Sequence, residues 1–362
     1  MHKIAGALAV FMSVAILSCC ATSPSPKGSS SGKQPAERKV AQAKEPEWVS
    51  APRAAYPDAQ YVSAVGYGAD RESAEKNALG ALIAVFGQSV KGEMTVSSRY
   101  SEAIKSGAIE VTEGSDIDRA VKTSYDLESV VGAEIKAIWF DGDKTTYALA
   151  VMERARAAML YANLLQTNEE TIAKLVAIPA AERNTLDAYA RYDLAAEIGD
   201  MNGRFLNVLS VVNPAAAAAK AGTVTRGDQL RVECLRIAQS IPISVTVSND
   251  RDGRIKAAFS QAISASGFKT GGTGTRYALE GTLTLSEVAL KNNENKFARY
   301  IVDARLVDTA TGSVLMPYNA QGREGHATMS EAENRAVRAA ERKITEDFNK
   351  AFSGYIAQLS QK

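Results

Sequence analysis

The chain has 362 residues and a mass of 38.5 kDa, enough for two or three domains that each bury a core. Hydrophobic residues make up 46% and charged residues 23%, and 42 Lys plus Arg face 41 Asp plus Glu, a balance that argues against global disorder and against a nucleic-acid partner drawn by bulk charge. With His2 and His326 as the only histidines and three cysteines in all, the raw material of common zinc sites, His-dependent triads and disulfide frameworks is missing, and no cofactor is expected.

Residues 1–18 read as an export signal. Lys3 gives a basic start, Ile4 to Leu17 is uncharged and apolar, and Ser18, Cys19, Cys20 and Ala21 are small. The apolar run falls short of the roughly 20 residues a spanning helix needs. Ile16-Leu17-Ser18-Cys19 resembles a bacterial lipobox, which implies diacylglycerol on the Cys19 thiol and cleavage just before it. The alternative is Cys20, whose register, Leu17-Ser18-Cys19-Cys20, has the more typical first residue but puts a cysteine immediately before the cut. Two or more acyl chains hold a protein stably at a bilayer because each buried methylene contributes about 0.8 kcal/mol. The membrane is then the first expected partner. Ordinary secretion, with both thiols discarded or oxidised, is the plain alternative.

Residues 19–46 form the expected lipidated start and linker. Ser23 to Glu45 is rich in Ser, Pro, Lys and Glu with almost no apolar periodicity, so it cannot offset its ordering entropy. As a flexible leash it spans on the order of 25 to 30 Å.

Residues 47–152 are expected to form the first folded unit, an α+β domain. Tyr61 to Gly66 reads as a strand, Gly66 and Gly68 as a turn pair and Asp70 as a helix cap. From Arg71 one apolar helix face recurs through Ala74, Ala78, Leu79, Leu82, Ile83, Phe86 and Val90. From Tyr125 to Trp139 the period changes to two, which predicts a long half-buried strand. Asp141, Gly142 and Asp143 then turn the chain into an antiparallel partner over Thr145 to Met152.

Glu47-Trp48-Val49-Ser50, Tyr61-Val62-Ser63-Ala64-Val65-Gly66-Tyr67-Gly68, Ser73-Ala74-Glu75-Lys76-Asn77-Ala78-Leu79, Ile138-Trp139 and Tyr147-Ala148-Leu149-Ala150-Val151 together resemble the LPP-twenty lipoprotein family. A similar domain occurs in flagellar assembly protein T. The resemblance covers under a third of the chain and implies a bacterial envelope lipoprotein that binds or supports other components and catalyses nothing.

Residues 153–240 read as mostly helical, broken at Pro179 and Pro214. The alanine run Ala215 to Ala219 fits either a packed helix or a spacer, and Cys234 reads as a buried core thiol. Residues 241–362 are expected to form a second α+β domain: a strand at Ile243 to Val247, a helix from Arg254 to Ser266 ended by Gly267, and strands at Tyr277 to Val288 and Ala298 to Asp308. After a turn at Thr309 to Gly312 come a strand over Ser313 to Gln321 and a long helix over Ser330 to Leu359. Leu306 to Val314 and this element order resemble periplasmic lipoprotein modules of the penicillin-binding-protein activator and curli-secretion type. The expected fold class is α+β, two modules of helices on small, mainly antiparallel sheets joined by a helical segment.

Four motifs suggest chemistry. Gly28 to Gly32 matches a G-x-S-x-G nucleophile elbow but sits in a linker instead of a strand-to-helix turn. Gly66 and Gly68 begin a G-x-G whose third glycine position holds Arg71. Asp250, Asp252 and Gly253 mimic a calcium loop that closes on Phe259 where a Glu is needed, so they read as turn and cap residues. Ser73 and Lys76, Tyr161 and Asn163, and Lys269-Thr270-Gly271 follow the S-x-x-K, Y-x-N, K-T-G order of serine β-lactamases and penicillin-binding enzymes. Against that, Ser73 and Lys76 belong to the family-like helix, Tyr161 and Asn163 decorate another, and Lys269 opens a glycine-rich link.

The sequence therefore predicts a non-enzymatic, lipid-anchored envelope lipoprotein with no metal and no catalytic residue. It would face the periplasm from the outer membrane, surface exposure remaining open, and present its modules to flagellar, peptidoglycan or secretion machinery. The alternatives are the serine acyl-transfer enzyme and a small-ligand receptor, the latter needing a pocket with a few convergent polar groups.

Overall fold

A computed structural model of the chain describes residues 44–86, 96–126, 129–291 and 293–360. Cys19, Cys20, the Gly28 to Gly32 motif and Val90 lie outside the described residues. Near the start, two four-residue helices, α1 (Glu47–Ser50) and α2 (Pro52–Ala55), lead to Tyr56, which stands edge-on to Tyr61 at 5.3 Å.

The first sheet contains β1 (Tyr61–Gly68), β2 (Glu134–Phe140) and β3 (Thr146–Glu153) in the order β1-β3-β2, antiparallel throughout, with Ala64 opposite Ala150 and Ile138 opposite Ala148. Helix α3 (Arg71–Val85) packs on it through Ala74, Ala78, Leu79, Leu82 and Ile83, one stripe of a 3.6-residue period. Asp70 starts the helix as expected, its carboxylate accepting the Ser73 N–H at 2.8 Å. That hydrogen bond also holds the Asp70 pKa below the ordinary carboxylate value. The opposite sheet face carries Leu149 and Val151, also buried, and α1 and α2 pack against β3 and β1.

Two expectations fail in this region. Gly66 and Gly68 are not a turn pair but lie within β1, where a Cβ on Gly66 would come within 2.0 Å of the Ala78 nitrogen and one on Gly68 within 2.6 Å of the Ser73 Cβ. They let the α3 backbone approach the strand more closely than any side chain allows. The long strand from Tyr125 is also wrong at its start. Helix α5 (Asp116–Asp126) runs through Tyr125, and only Glu134–Phe140 pairs in the sheet. Asp116 and Asp118 favour a helix first turn, Val121 and Ser124 bury one face, and Gly132 at φ +89° redirects the chain before β2. The alternation is real from Ile135 through Ala137 to Trp139, which are half-buried while their neighbours are exposed.

The middle of the chain is helical: α4 (Ser98–Lys105) lies before α5, and α6 (Arg154–Val176), α7 (Leu186–Val212), α8 (Pro214–Ala221) and α9 (Gly227–Ser240) follow. The alanine run resolves as α8, opened by Pro214 at its first position and by Asn213, whose side chain accepts the Ala216 N–H at 3.0 Å. Helix α7 is 27 residues long, about 40 Å at 1.5 Å per residue. Its acidic residues Asp193, Glu197 and Asp200 hold flanking elements through Arg99 at 2.5 Å, Ser97 at 2.5 Å and Arg231.

The second sheet has β4 (Pro242–Ser248), β5 (Lys269–Thr270), β6 (Tyr277–Val288), β7 (Lys296–Asp308) and β8 (Ser313–His326) in the order β5-β4-β6-β7-β8. β4 runs parallel to β5 and β6, and the remaining pairs are antiparallel. β8 extends beyond the expected Gln321 because the long β7 offers partners as far as Lys296 opposite His326. Helices α10 (Arg254–Ala265) and α11 (Met329–Leu359) pack against this sheet, α11 burying Ala332, Ala336, Ile344, Phe348, Phe352 and Ile356.

Ala43–Lys362 forms one compact unit with two apolar cores. The first gathers the three-stranded sheet with α3 and the helical middle; the second gathers the five-stranded sheet with α10 and α11. Helix α7 serves both, with Leu186 and Ala190 in the second core and Leu194 through Val212 in the first. The fold is α+β, helices on two small, mainly antiparallel sheets.

Candidate functional site

A half-open groove of about 510 Å³ lies between α5 and α6. Ala133, Ala157 and Leu160 are in its apolar lining, with Ile117 and Ala120 from α5 and Met159 from α6. Gly132, at φ +89°, lines the groove where the chain turns from the α5 side into β2. Met159 is 66% exposed, an unusual position for a large apolar side chain beside other apolar surface.

The groove rim is charged. Arg119 pairs with Asp116 at 3.0 Å and Glu134 with Lys136 at 3.2 Å. Arg156 and Glu153, also on the lining, form no ion pair among the described residues. The polar side chains Thr123 and Asn163 complete the surface. Such a set can seat an apolar segment and match charges on both sides of it, but it holds no nucleophile with an adjacent base. Among the described residues no group of three or more His, Cys, Asp or Glu is arranged to hold a metal ion.

The serine-enzyme motifs fall on three separate elements. Ser73 and Lys76 share the first turns of α3, half-buried and exposed respectively. Tyr161 does not decorate its helix as expected: it is a core residue on α6, its hydroxyl donating to the Val131 carbonyl at 2.8 Å and its ring edge-on to Phe205 at 5.5 Å. Burial lifts the Tyr161 phenol far above its ordinary pKa, the opposite of what a proton acceptor requires. Asn163 lines the α5–α6 groove, and Lys269 opens β5 in the other sheet, followed by Gly271, Gly272 and Gly274 at positive φ. No described cavity is lined by two of these motifs.

Other motif residues have structural roles. The Asp250 carboxylate accepts the Lys256 N–H at 2.8 Å, and Gly253 at φ +67° precedes α10, so the calcium-loop mimic is a turn and helix start. Cys234 is buried on α9; burial first, then the Asp193 carboxylate, pushes its thiol up to about 12, far from a reactive thiolate.

One feature had no signal in the sequence pattern. Tyr100 on α4 donates to Asn168 Oδ1 at 2.7 Å, Asn168 Nδ2 to Asn202 Oδ1 at 2.8 Å, and Asn202 Nδ2 to Glu169 Oε1 at 2.8 Å. Thr225 closes the chain with its N–H and hydroxyl on the two Glu169 oxygens, at 2.8 and 2.7 Å. Asn168 and Asn202 are wholly buried. No local pattern marks Asn168 and Asn202 as buried; the packing of α6 on α7 does.

No family model and no curated protein matches this chain. Among solved structures, a minor lipoprotein from Acinetobacter baumannii shares 15% identity over 33% of this chain and 91% of its own, with a TM-score of 0.24. The secreted protein HP1454 from Helicobacter pylori shares 13% identity over 83% of this chain and 97% of its own, with a TM-score of 0.40. Protein XCC0632 from Xanthomonas campestris shares 13% identity over 33% of this chain and 85% of its own, with a TM-score of 0.23. Likenesses of this grade define neither a family nor an activity.

Proposed function

We propose that this chain is a non-enzymatic bacterial envelope lipoprotein of the LPP-twenty type, anchored by acyl chains and acting as an interaction or assembly module at the periplasmic side of the outer membrane. The observation that carries the reading is the N-terminal order: basic Lys3, apolar Ile4 to Leu17, small Ser18, Cys19, then a polar leash. No helix among the described residues is long and apolar enough to cross a membrane, so attachment in this reading rests on lipid at Cys19, or at Cys20. The folded body then needs only to display surfaces. The α5–α6 groove, lined by exposed Met159 and by Arg156 and Glu153, which form no ion pair among the described residues, is the surface offered to an envelope protein of flagellar, peptidoglycan or secretion machinery.

Intact-mass analysis of the mature protein from native membranes tests the anchor. The expected N-terminus is an acylated Cys19; a first residue without acyl mass, on protein that stays in buffer without detergent, overturns the reading. Pull-down from native membranes tests the module. A stable envelope partner should be recovered by the wild-type chain and lost with Met159→Glu, and recovery of none removes the assembly role.

A further inference from the structure

The two open sheets end on four strands, β1, β2, β5 and β8, and three of these edges are closed. On β1 the Tyr61 N–H donates to the Pro57 carbonyl at 3.0 Å, and the Tyr67 carbonyl accepts from Asn77 Nδ2 at 2.8 Å. β5 has only two residues. On β8, Pro317 has no N–H to offer and the Gly325 carbonyl accepts from Arg335 at 3.4 Å. Devices of this kind keep a sheet edge from pairing with another chain. The β2 edge carries none among the described residues, and it ends on Ile138, Trp139 and Phe140, with Ile138 36% and Phe140 51% exposed.

The hairpin fixes which backbone groups face outward. Asp141 donates its N–H to the Thr145 carbonyl at 3.1 Å. By the alternation of an antiparallel pair, Trp139 then bonds inward to β3, while Ile138 and Phe140 present their N–H and C=O groups to the open side. The side chains divide by face. Ile138, opposite Ala148, and Phe140 project on the α3 side. Trp139 ends a row of rings that crosses the other face, 5.4 Å from Tyr147, which is 6.3 Å from Tyr67.

We infer that β2 pairs with β2 of a second copy of this chain, antiparallel about a two-fold axis at Trp139. In this register Ile138 of each copy faces Phe140 of the other, and their outward N–H and C=O groups close four backbone hydrogen bonds. Trp139 faces its own counterpart, so the ring row continues from one sheet into the next. The bulge between Ile135 and Ala137 confines the ladder to this apolar end. Charges match beyond it: Glu134 and Lys136 of one edge meet the turn of the other, which carries Asp143 and Lys144, and all four residues are exposed. The neighbouring register, centred on Ile138, sets Lys136 against Phe140 instead. This match of the edge to itself selects a second copy over an unrelated strand. The inference goes beyond the proposed function and uses no residue before Pro57, so it stands whether or not Cys19 carries lipid.

Two short edges make a junction at the small end of interface sizes, which predicts dissociation on the order of 10 to 100 μM. The test uses the full chain carrying Cys19→Ser and Cys20→Ser, which leaves buried Cys234 as its one native thiol. Sedimentation equilibrium should show a monomer–dimer equilibrium in that range. Phe140→Lys, a charge placed on the edge at an exposed site, should weaken the dimer at least about tenfold with an unchanged melting temperature. Trp139→Cys should cross-link the dimer under mild oxidation, because facing residues of a non-hydrogen-bonded pair stand about 4.5 Å apart, within disulfide reach. Tyr67→Cys, more exposed but two strands from the edge, should not. Phe140→Lys keeps the test decisive if Trp139→Cys fails to fold. A chain that stays monomeric up to about 1 mM, a dimer indifferent to Phe140→Lys, or cross-linking of Tyr67→Cys as readily as Trp139→Cys overturns the proposal.

Discussion

The two cores are held together differently. In the first, elements far apart in the chain are joined by a relay of directional hydrogen bonds from Tyr100 through Asn168, Asn202 and Glu169 to Thr225. In the second, the centre is aromatic: Phe259, Tyr318 and Phe348 stand mutually edge-on at 5.1 to 5.7 Å, and Phe352 links Phe348 to Phe268. Ring clusters derive stability from buried area and tolerate some sliding. A polar relay adds less net energy, but it penalises every arrangement in which a member loses its partner. The first region must fix three helices, α4, α6 and α7, and the loop before α9 against one another, and the relay supplies the registration that apolar contact alone leaves loose.

The largest effect should come from the ring cluster. Phe348 is 1% exposed and touches three other aromatic rings, so Phe348→Ala should cost about 3 to 5 kcal/mol in urea unfolding. Because α7 belongs to both cores, the variant should lower a single transition followed by near- and far-ultraviolet circular dichroism. Two separated transitions would show that the cores unfold independently and that α7 does not couple them.

The relay should respond less in size and more in pattern. Asn168→Ala strands the Tyr100 hydroxyl and Asn202 Oδ1, a cost of about 2 to 3 kcal/mol. Burial raises the Tyr100 phenol well above its ordinary pKa, so it remains a neutral donor without an acceptor in that variant. Adding Tyr100→Phe removes one stranded group, and the double variant should be less destabilised than the sum of the singles. Strict additivity in that cycle would mean that the relay members act separately.

This contrast also explains what the sequence reveals. Most of the second region was legible because its elements bury one face: β6 matches Tyr277–Val288 as expected and the α11 stripe follows a helical period, whereas β5 was expected as a link and β8 runs five residues past the expected Gln321. In the first region, α3 and its Asp70 cap were equally plain. Helix α5 was not, since its short amphipathic pattern runs into a strand pattern with only Gly132 to mark the change. The close approach at Gly66 depends on the position of α3, which no local pattern encodes. The groove is assembled from side chains as far as 47 positions apart, from Asp116 to Asn163, so periodicity could name its elements but not their meeting.

The smallest effect should separate the regions by pH. Asp308, at the end of β7, is buried, which pulls its pKa upward, but Arg276 at 3.0 Å and the Ala310 N–H at 3.0 Å outweigh burial and hold it below the usual aspartate value. A carboxyl whose folded pKa is depressed contributes stability that is fully present above its unfolded value, about 3.9, and is lost as pH falls through the folded value. Stability should therefore decline below about pH 4, and Asp308→Asn should lower it at neutral pH while flattening that acid limb. Because Asp308 closes the β6–β7 end and caps the turn at Ala310, acid should expose the second region's amides to hydrogen exchange before those around Asn168. If the amides around Asn168 exchange first, or Asp308→Asn leaves the acid limb as steep as before, the acid-sensitive contact belongs elsewhere and the difference between the cores is one of packing alone.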